Sequence, residues 1–137
     1  MLSDRALDEI ALARGIKVTR EELEEEVYQL NIEAAHQRQY AAMMHGADSV
    51  PAADEAARNA LTEQAMQNIR IRRLIEETIR EQAFEVTPEE LEEEARAVAE
   101  RQKVSLDMVR GFFGDDFGLL RRDVLEKKAL AYLEETA

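Results

Sequence analysis

Cysteine is absent from the 137 residues, which excludes disulfide scaffolds, thiol catalysis and zinc sites built on thiolates. Long apolar runs are absent too. None approaches the roughly 18 residues of a membrane-spanning helix, and the opening Met1-Leu2-Ser3-Asp4-Arg5 has neither the basic nor the apolar segment of a secretory leader. The chain is therefore expected to be soluble and cytosolic, with no membrane partner. Positive charge is in short supply: 18 Lys+Arg stand against 30 Asp+Glu, a formal net charge of -12. Binding a nucleic-acid backbone needs clustered cations that displace counterions, so no nucleic-acid partner is expected. Proline (2) and glycine (5) are scarce, and no stretch alternates β-branched residues with period two, which leaves strands without support.

What is present points to helices. Ala, Glu, Leu, Arg and Gln dominate, residues that lose little freedom in a helix, and 45% hydrophobic content is too high for an acidic disordered tail. The length fits one all-α domain. Ser3 caps a first helix to about Ala13, with Gly15 suited to the left-handed position beyond its end. Thr19 with Glu22 has capping-box spacing and opens a long helix to Gly46. A loop over Gly46 to Ala53 contains Pro51, and a third helix then runs from about Asp54 to Ala83. Thr87, with Pro88 and Glu90, opens a fourth that ends near Gln102. Ser105 starts a short helix to about Arg110, broken by Gly111 and Gly114, and Asp115 or Asp116 caps a last helix to Glu135.

The pattern is duplicated. Residues 18–26, Val-Thr-Arg-Glu-Glu-Leu-Glu-Glu-Glu, recur as residues 86–94 with Pro88 as the single change. Leu7, Ala11 and Ile16 map onto Ile75, Ile79 and Phe84 by the same shift of 68 residues. The returning helices share an ending, residues 74–78 against residues 132–136. Two antiparallel helical hairpins joined through the long third helix are expected, an elongated architecture with one arm over about 19–83 and a second over about 87–137.

Helical projection of the second helix places Leu23, Val27, Leu30, Ala34, Ala41 and Met44 on one stripe, and Tyr28, Ile32, Ala35 and Met43 nearly opposite. Two apolar stripes on one helix imply a second surface that is packed or offered to a partner. On the third helix, Ala57, Leu61, Ala65, Ile75, Ile79 and Ala83 share a stripe with Asn68 and Arg72, while Met66, Ile69, Ile71 and Leu74 lie off it. Phe112, Phe113 and Phe117 gather between glycines at the expected tip of the second arm. Tyr28, Ile32, Ala35, Met43, Met44, Met66, Ile69, Ile71, Phe112, Phe113 and Phe117 are the candidate binding residues. For each, ordinary core packing or a homodimer seam is the competing explanation. Arg72 beside Asn68 is open to two readings, a contact for a peptide backbone or an ion pair to the acidic helices. The last helix, with apolar residues all round its axis, is expected to be the most buried segment.

Catalytic chemistry finds no foothold. His36 and His45 lack metal-binding spacing, so no metal is expected. Glu24, Glu25, Glu26, Glu92, Glu93 and Glu94 are explained as solvated helix faces. No phosphate-binding loop or nucleophile motif occurs, and neither an enzyme activity nor a cofactor is expected.

The twice-used Val-Thr-x-Glu-Glu-Leu-Glu-Glu-Glu hook, its Ala13-Arg14-Gly15-Ile16 lead-in, the Leu74-Ile75-Glu76-Glu77 approach to the second hook, the turn at residues 105–109 and the ending at residues 124–130 resemble the C-terminal chaperone domain of bacterial trigger factor. The resemblance covers nearly the whole chain in family order. It implies a helical body with two arms that cradle nascent or unfolded polypeptide without ATP. Full trigger factors also carry a ribosome-docking domain and a prolyl isomerase domain, and neither a Gly-Phe-Arg docking loop nor a β-rich segment occurs here. Ribosome binding and isomerase activity are accordingly expected of the parent protein and not of these residues, which read as an excised domain. The acidic surface favours basic clients such as unassembled ribosomal proteins. A periplasmic outer-membrane-protein chaperone of the SurA type, a dimeric helical structural protein and a small hydrolase with paired carboxylates are the alternatives.

Overall fold

The computed structural model describes residues 2–46 and 55–137. Among them are six α-helices, one 3-10 turn and no strand: α1 (Asp4–Ala13), α2 (Arg20–His45), α3 (Glu55–Gln82), α4 (Pro88–Gln102), α5 (Leu106–Phe113), the turn Gly118–Leu120 and α6 (Arg121–Thr136). The expected loop through Pro51 and the helix start at Asp54 lie outside the described residues.

The local signals act as their chemistry requires. Ser3 Oγ accepts from the Ala6 amide at 3.1 Å. Thr19 and Glu22 close a capping box, the hydroxyl accepting from the Glu22 amide at 3.2 Å and the carboxylate from the Thr19 amide at 3.3 Å. Thr87 and Glu90 close the second, at 3.2 and 3.0 Å. Pro88 sits in the first turn of α4, where its missing N–H costs nothing. Beyond α1, Gly15 takes φ +74°, and its counterpart beyond α3, Ala83, takes φ +49°.

Two local expectations are corrected. Gly111 does not break α5, which runs on to Phe113 and stops at Gly114 with φ +97°. A single interior glycine costs about 1 kcal/mol against alanine, too little to end a helix that is packed. Asp116 does not cap α6. Its Oδ1 accepts from the Gly118 amide at 2.9 Å, holding the 3-10 turn, and α6 begins without a side-chain cap.

The chain divides into two compact units, Ser3–Leu74 and, apart from the first two residues, Ile75–Ala137. In the first, Leu7 and Ala11 of α1, Ile16, and Ala65, Ile69 and Leu74 of α3 are buried. Arg70 donates to both oxygens of Asp8, at 2.6 and 3.2 Å. That bond holds the Arg70 guanidinium above its ordinary value. In the second unit, Ala95, Val98, Val109, Phe117 and Leu120 form a core with Leu91, Val104, Leu106 and Phe113 packed around it. Here α4 touches α5, α6 and the 3-10 turn. Phe84 meets Tyr132 edge to face, with ring centroids 6.3 Å apart. The last helix is not the most buried: only Val124, Ala129 and Leu133 of α6 are enclosed, and α4 encloses as many residues in a similar length. Apolar residues all round an axis do not bury a helix when its neighbours enclose only a few of them.

Burial also resets the register of the repeat. The buried positions of α3 are Ala65, Ile69, Leu74 and Thr78, and those of the 3-10 turn and α6 are Leu120, Val124, Ala129 and Leu133. A shift of 55 residues superposes all four. The shared sequence ending at 74–78 and 132–136 aligns the same helices three residues out of register, pairing buried Leu74 and Thr78 with Tyr132 and Thr136, which are not buried.

Candidate functional site

α2 is the least enclosed element. In 26 residues, about 39 Å at 1.5 Å per residue, it has no buried position. Its first two turns are tied down by ions. Arg73 donates to Glu22 Oε1 at 2.5 Å and to the Lys17 carbonyl at 2.5 Å. Arg72 donates to both oxygens of Glu26, at 3.2 and 3.0 Å, and Asn68 donates to the same carboxylate at 3.4 Å. Of the two readings of Arg72 and Asn68, the structure shows the ion pair. The Glu22 carboxyl is held below the ordinary glutamate value, first by the Thr19 hydroxyl, then by the Thr19 amide and the Arg73 guanidinium.

Beyond these turns the apolar side chains of α2 have little cover. Tyr28, Met43 and Met44 are exposed, and Ile32 and Ala35 are half-buried. Tyr40, also exposed, joins them. It lies between the two projected stripes, and a search for stripes passes over it. On α3, Met66 and Ile71 are half-buried. Ile69 is 3% exposed and belongs to the core, so it leaves the accessible set. The cause is a buried side of α3 that changes along its length: Leu74 lies about 140° round the axis from Ile69 at 100° per residue, so no single stripe describes both.

The second unit carries a groove of about 540 Å³ whose apolar walls include Val98, Val104, Val109, Leu120, Phe112 and Phe113. Arg101 and Asp123 supply its charge. The three phenylalanines part company here. Phe112 is 73% exposed, Phe113 is half-buried, and Phe117, at 5%, is core. Phe117 is held in a left-handed conformation at φ +60°, with the Arg110 guanidinium 5.2 Å from its ring centre. Met108 and Leu119 are also exposed, and the sequence gives no sign of it, since neither belongs to a stripe or a cluster.

At the second hook the acids are again paired. Lys128 donates to Glu90 Oε2 at 2.6 Å and to the Glu85 carbonyl at 2.6 Å. Lys127 Nζ lies 2.5 Å from Glu94 Oε2, and Arg101 lies 3.8 Å from its other oxygen. Glu94 is the one charged side chain buried among the described residues, and not a solvated one. The Glu90 carboxyl is held below the ordinary value, first by Lys128 and then by the Thr87 amide. These carboxylates are engaged in structure. No group of His, Asp or Glu among the described residues is arranged to hold a metal ion.

The chemistry on offer is therefore apolar contact, on α2 in the first unit and at the groove in the second, each beside paired charges. No curated protein and no solved structure matches the chain. A family model described as the C-terminus of bacterial trigger factor protein matches residues 31–135, beginning beyond the first hook. With more than half its length matched, the chain belongs to the bacterial trigger factor C-terminal family.

Proposed function

We propose that this trigger factor chaperone domain holds unfolded polypeptide segments on the exposed apolar side chains of α2 and in the Phe112 groove, without nucleotide. The observation that carries the reading is α2: a helix of 26 residues with nothing buried, yet presenting Tyr28, Tyr40, Met43 and Met44 to solvent. Several large apolar side chains left uncovered on one helix are what an interaction surface requires. Each contact is weak, since burying one Leu- or Ile-sized side chain is worth about 1.5–3 kcal/mol before the cost of ordering the client. Several such spots give affinity for many sequences and quick release. Methionine suits the task, its flexible thioether adapting to different partners.

The net charge of -12 keeps the uncovered surface soluble and favours basic clients, unassembled ribosomal proteins among them. Nascent chains are the natural source of such segments. On this reading the parent protein is a ribosome-associated trigger factor of the cytoplasm, with docking and prolyl isomerisation performed by other domains. Among the described residues no helix is long and apolar enough to cross a membrane. The test is light scattering from a chemically unfolded protein diluted into buffer with and without this chain, ATP omitted. Suppressed scattering at near-stoichiometric amounts is the expected result. Unchanged aggregation at a tenfold excess, roughly the range over which weak multisite binding should act, would remove the reading.

A further inference from the structure

The same surface carries the two most exposed thioethers among the described residues, Met43 and Met44. There is no cysteine and no tryptophan, so the thioether sulfurs are the groups that a peroxide or hypochlorous acid attacks first. Their exposure is graded. Met43 is 83% exposed, Met44 60% and Met108 50%, whereas Met66 is half-buried on α3. Met43 and Met44 are adjacent in the last turn of α2, about 100° apart round its axis, and so stand one on each of the helix's two apolar stripes.

We propose that Met43 and Met44 form an oxidation site that lowers client binding when both sulfurs become sulfoxides. Each thioether sulfur gives two electrons to the peroxide O–O bond, which breaks. One oxygen atom is transferred to sulfur, and the other leaves as water. The product is polar and chiral where the helix end was apolar, and because the pair faces two directions, neither stripe keeps its apolar end. Reversal takes a two-electron dithiol reductant of the methionine sulfoxide reductase class, which removes the oxygen as water and becomes a disulfide. No buried packing opposes either step, since α2 has no buried residue. The loss of binding rests on the proposed client surface, but the order of oxidation does not.

The experiment treats the chain with dilute hydrogen peroxide, maps sulfoxides by peptide mass spectrometry over time, and measures aggregation suppression on the same samples. Met43 and Met44 should oxidise first, Met108 next and Met66 last. The oxidised protein should then need about threefold more chain for half-suppression, given that two of the exposed apolar contacts are gone. A dithiol with the reductase should restore the untreated value. M43L/M44L, compared with its own untreated sample, should lose nothing on oxidation. Oxidation of Met66 in step with Met43, or an equal loss of suppression in oxidised M43L/M44L, would overturn the site. If the untreated chain suppresses no aggregation, the client-binding reading fails instead, and the sulfoxide map still decides whether the site exists.

Discussion

Arg73 and Lys128 perform one task in the two copies of the hook. Each donates to the carbonyl oxygen two residues before a threonine cap, and each reaches the glutamate that completes that cap. Their neighbours Arg72 and Lys127 do likewise for Glu26 and Glu94, one turn further on. The cation pairs are 55 residues apart, the shift that also superposes the buried positions of the returning helices. A local cap is in this way joined to a distant helix by charge, and the acids that look like surplus surface in the sequence fix where that helix returns.

Acid should loosen both hooks. The Glu22 and Glu90 carboxyls titrate below their ordinary value in the folded chain, so the unfolded chain binds these protons more readily. Their contribution is complete above the ordinary value of 4.5 and declines as pH falls through the depressed folded value. Urea midpoints measured from neutral pH downward should drop in that window. K128M should flatten the decline, because Lys128 is the largest cause of the Glu90 shift. An acid limb with unchanged slope would show that the Lys128 contact does not persist in solution.

Removing Lys127 should be costlier than removing an ordinary surface lysine. K127M leaves Glu94, 7% exposed, with Arg101 at 3.8 Å as its remaining cation. The expected loss is about 1–2 kcal/mol, less than a fully buried pair because the lysine itself is half in solvent. Equilibrium unfolding measures it. K103M, at an exposed position, serves as the comparison and should change little.

Ala83 occupies the left-handed conformation that Gly15 supplies in the first hook. A side chain there costs about 1–2 kcal/mol, part of which a glycine's greater unfolded-state freedom takes back. A83G should therefore stabilise by about 0.5–1 kcal/mol, and G15A should destabilise by a similar amount. Thermal melts of the two variants should move in opposite directions. Movement in the same direction would separate the two positions.

Exposed and buried members of the candidate surface should separate cleanly on substitution. I32S/M43S/M44S should weaken aggregation suppression with the fold intact by circular dichroism, and F112S should do the same at the groove. F117S, at a core position, should cost about 3–4 kcal/mol and unfold its unit. Melting of the triple variant to the same degree would place its residues in the core.

What can be read from the sequence is the local chemistry. Thr19 with Glu22 and Thr87 with Glu90 announce their boxes because capping depends on residues three apart, and both helix starts fall where that spacing puts them. The family is legible too, from the second hook, the turn at residues 105–109 and the ending at residues 124–130, all of which lie within the matched residues 31–135. Tertiary register is not. Identical letters at residues 74–78 and 132–136 suggest one alignment, while burial follows another three residues away. Ile69 passes for accessible because a projection knows only one side of a helix, and α3 changes its buried side between Ile69 and Leu74, while Phe117 passes for accessible because a cluster of phenylalanines between glycines does not say which of them is core. Tyr40, Met108 and Leu119 escape because exposure belongs to neighbours that lie far off in sequence. Gly111 misleads for the opposite reason, as packing of α5 outweighs a weak local preference.

With no residue of α2 sealed in an interior, most of that helix is under little obligation to the rest of the molecule. Its outward positions should accept one greasy or polar group for another, while Glu22 and Glu26 near its start keep it tied to α3. If α2 holds clients as proposed, changes at these positions would alter which unfolded chains bind and leave the scaffold as it is. Such a helix should tolerate random replacement far better than α4, where Glu94, Ala95 and Val98 are spoken for.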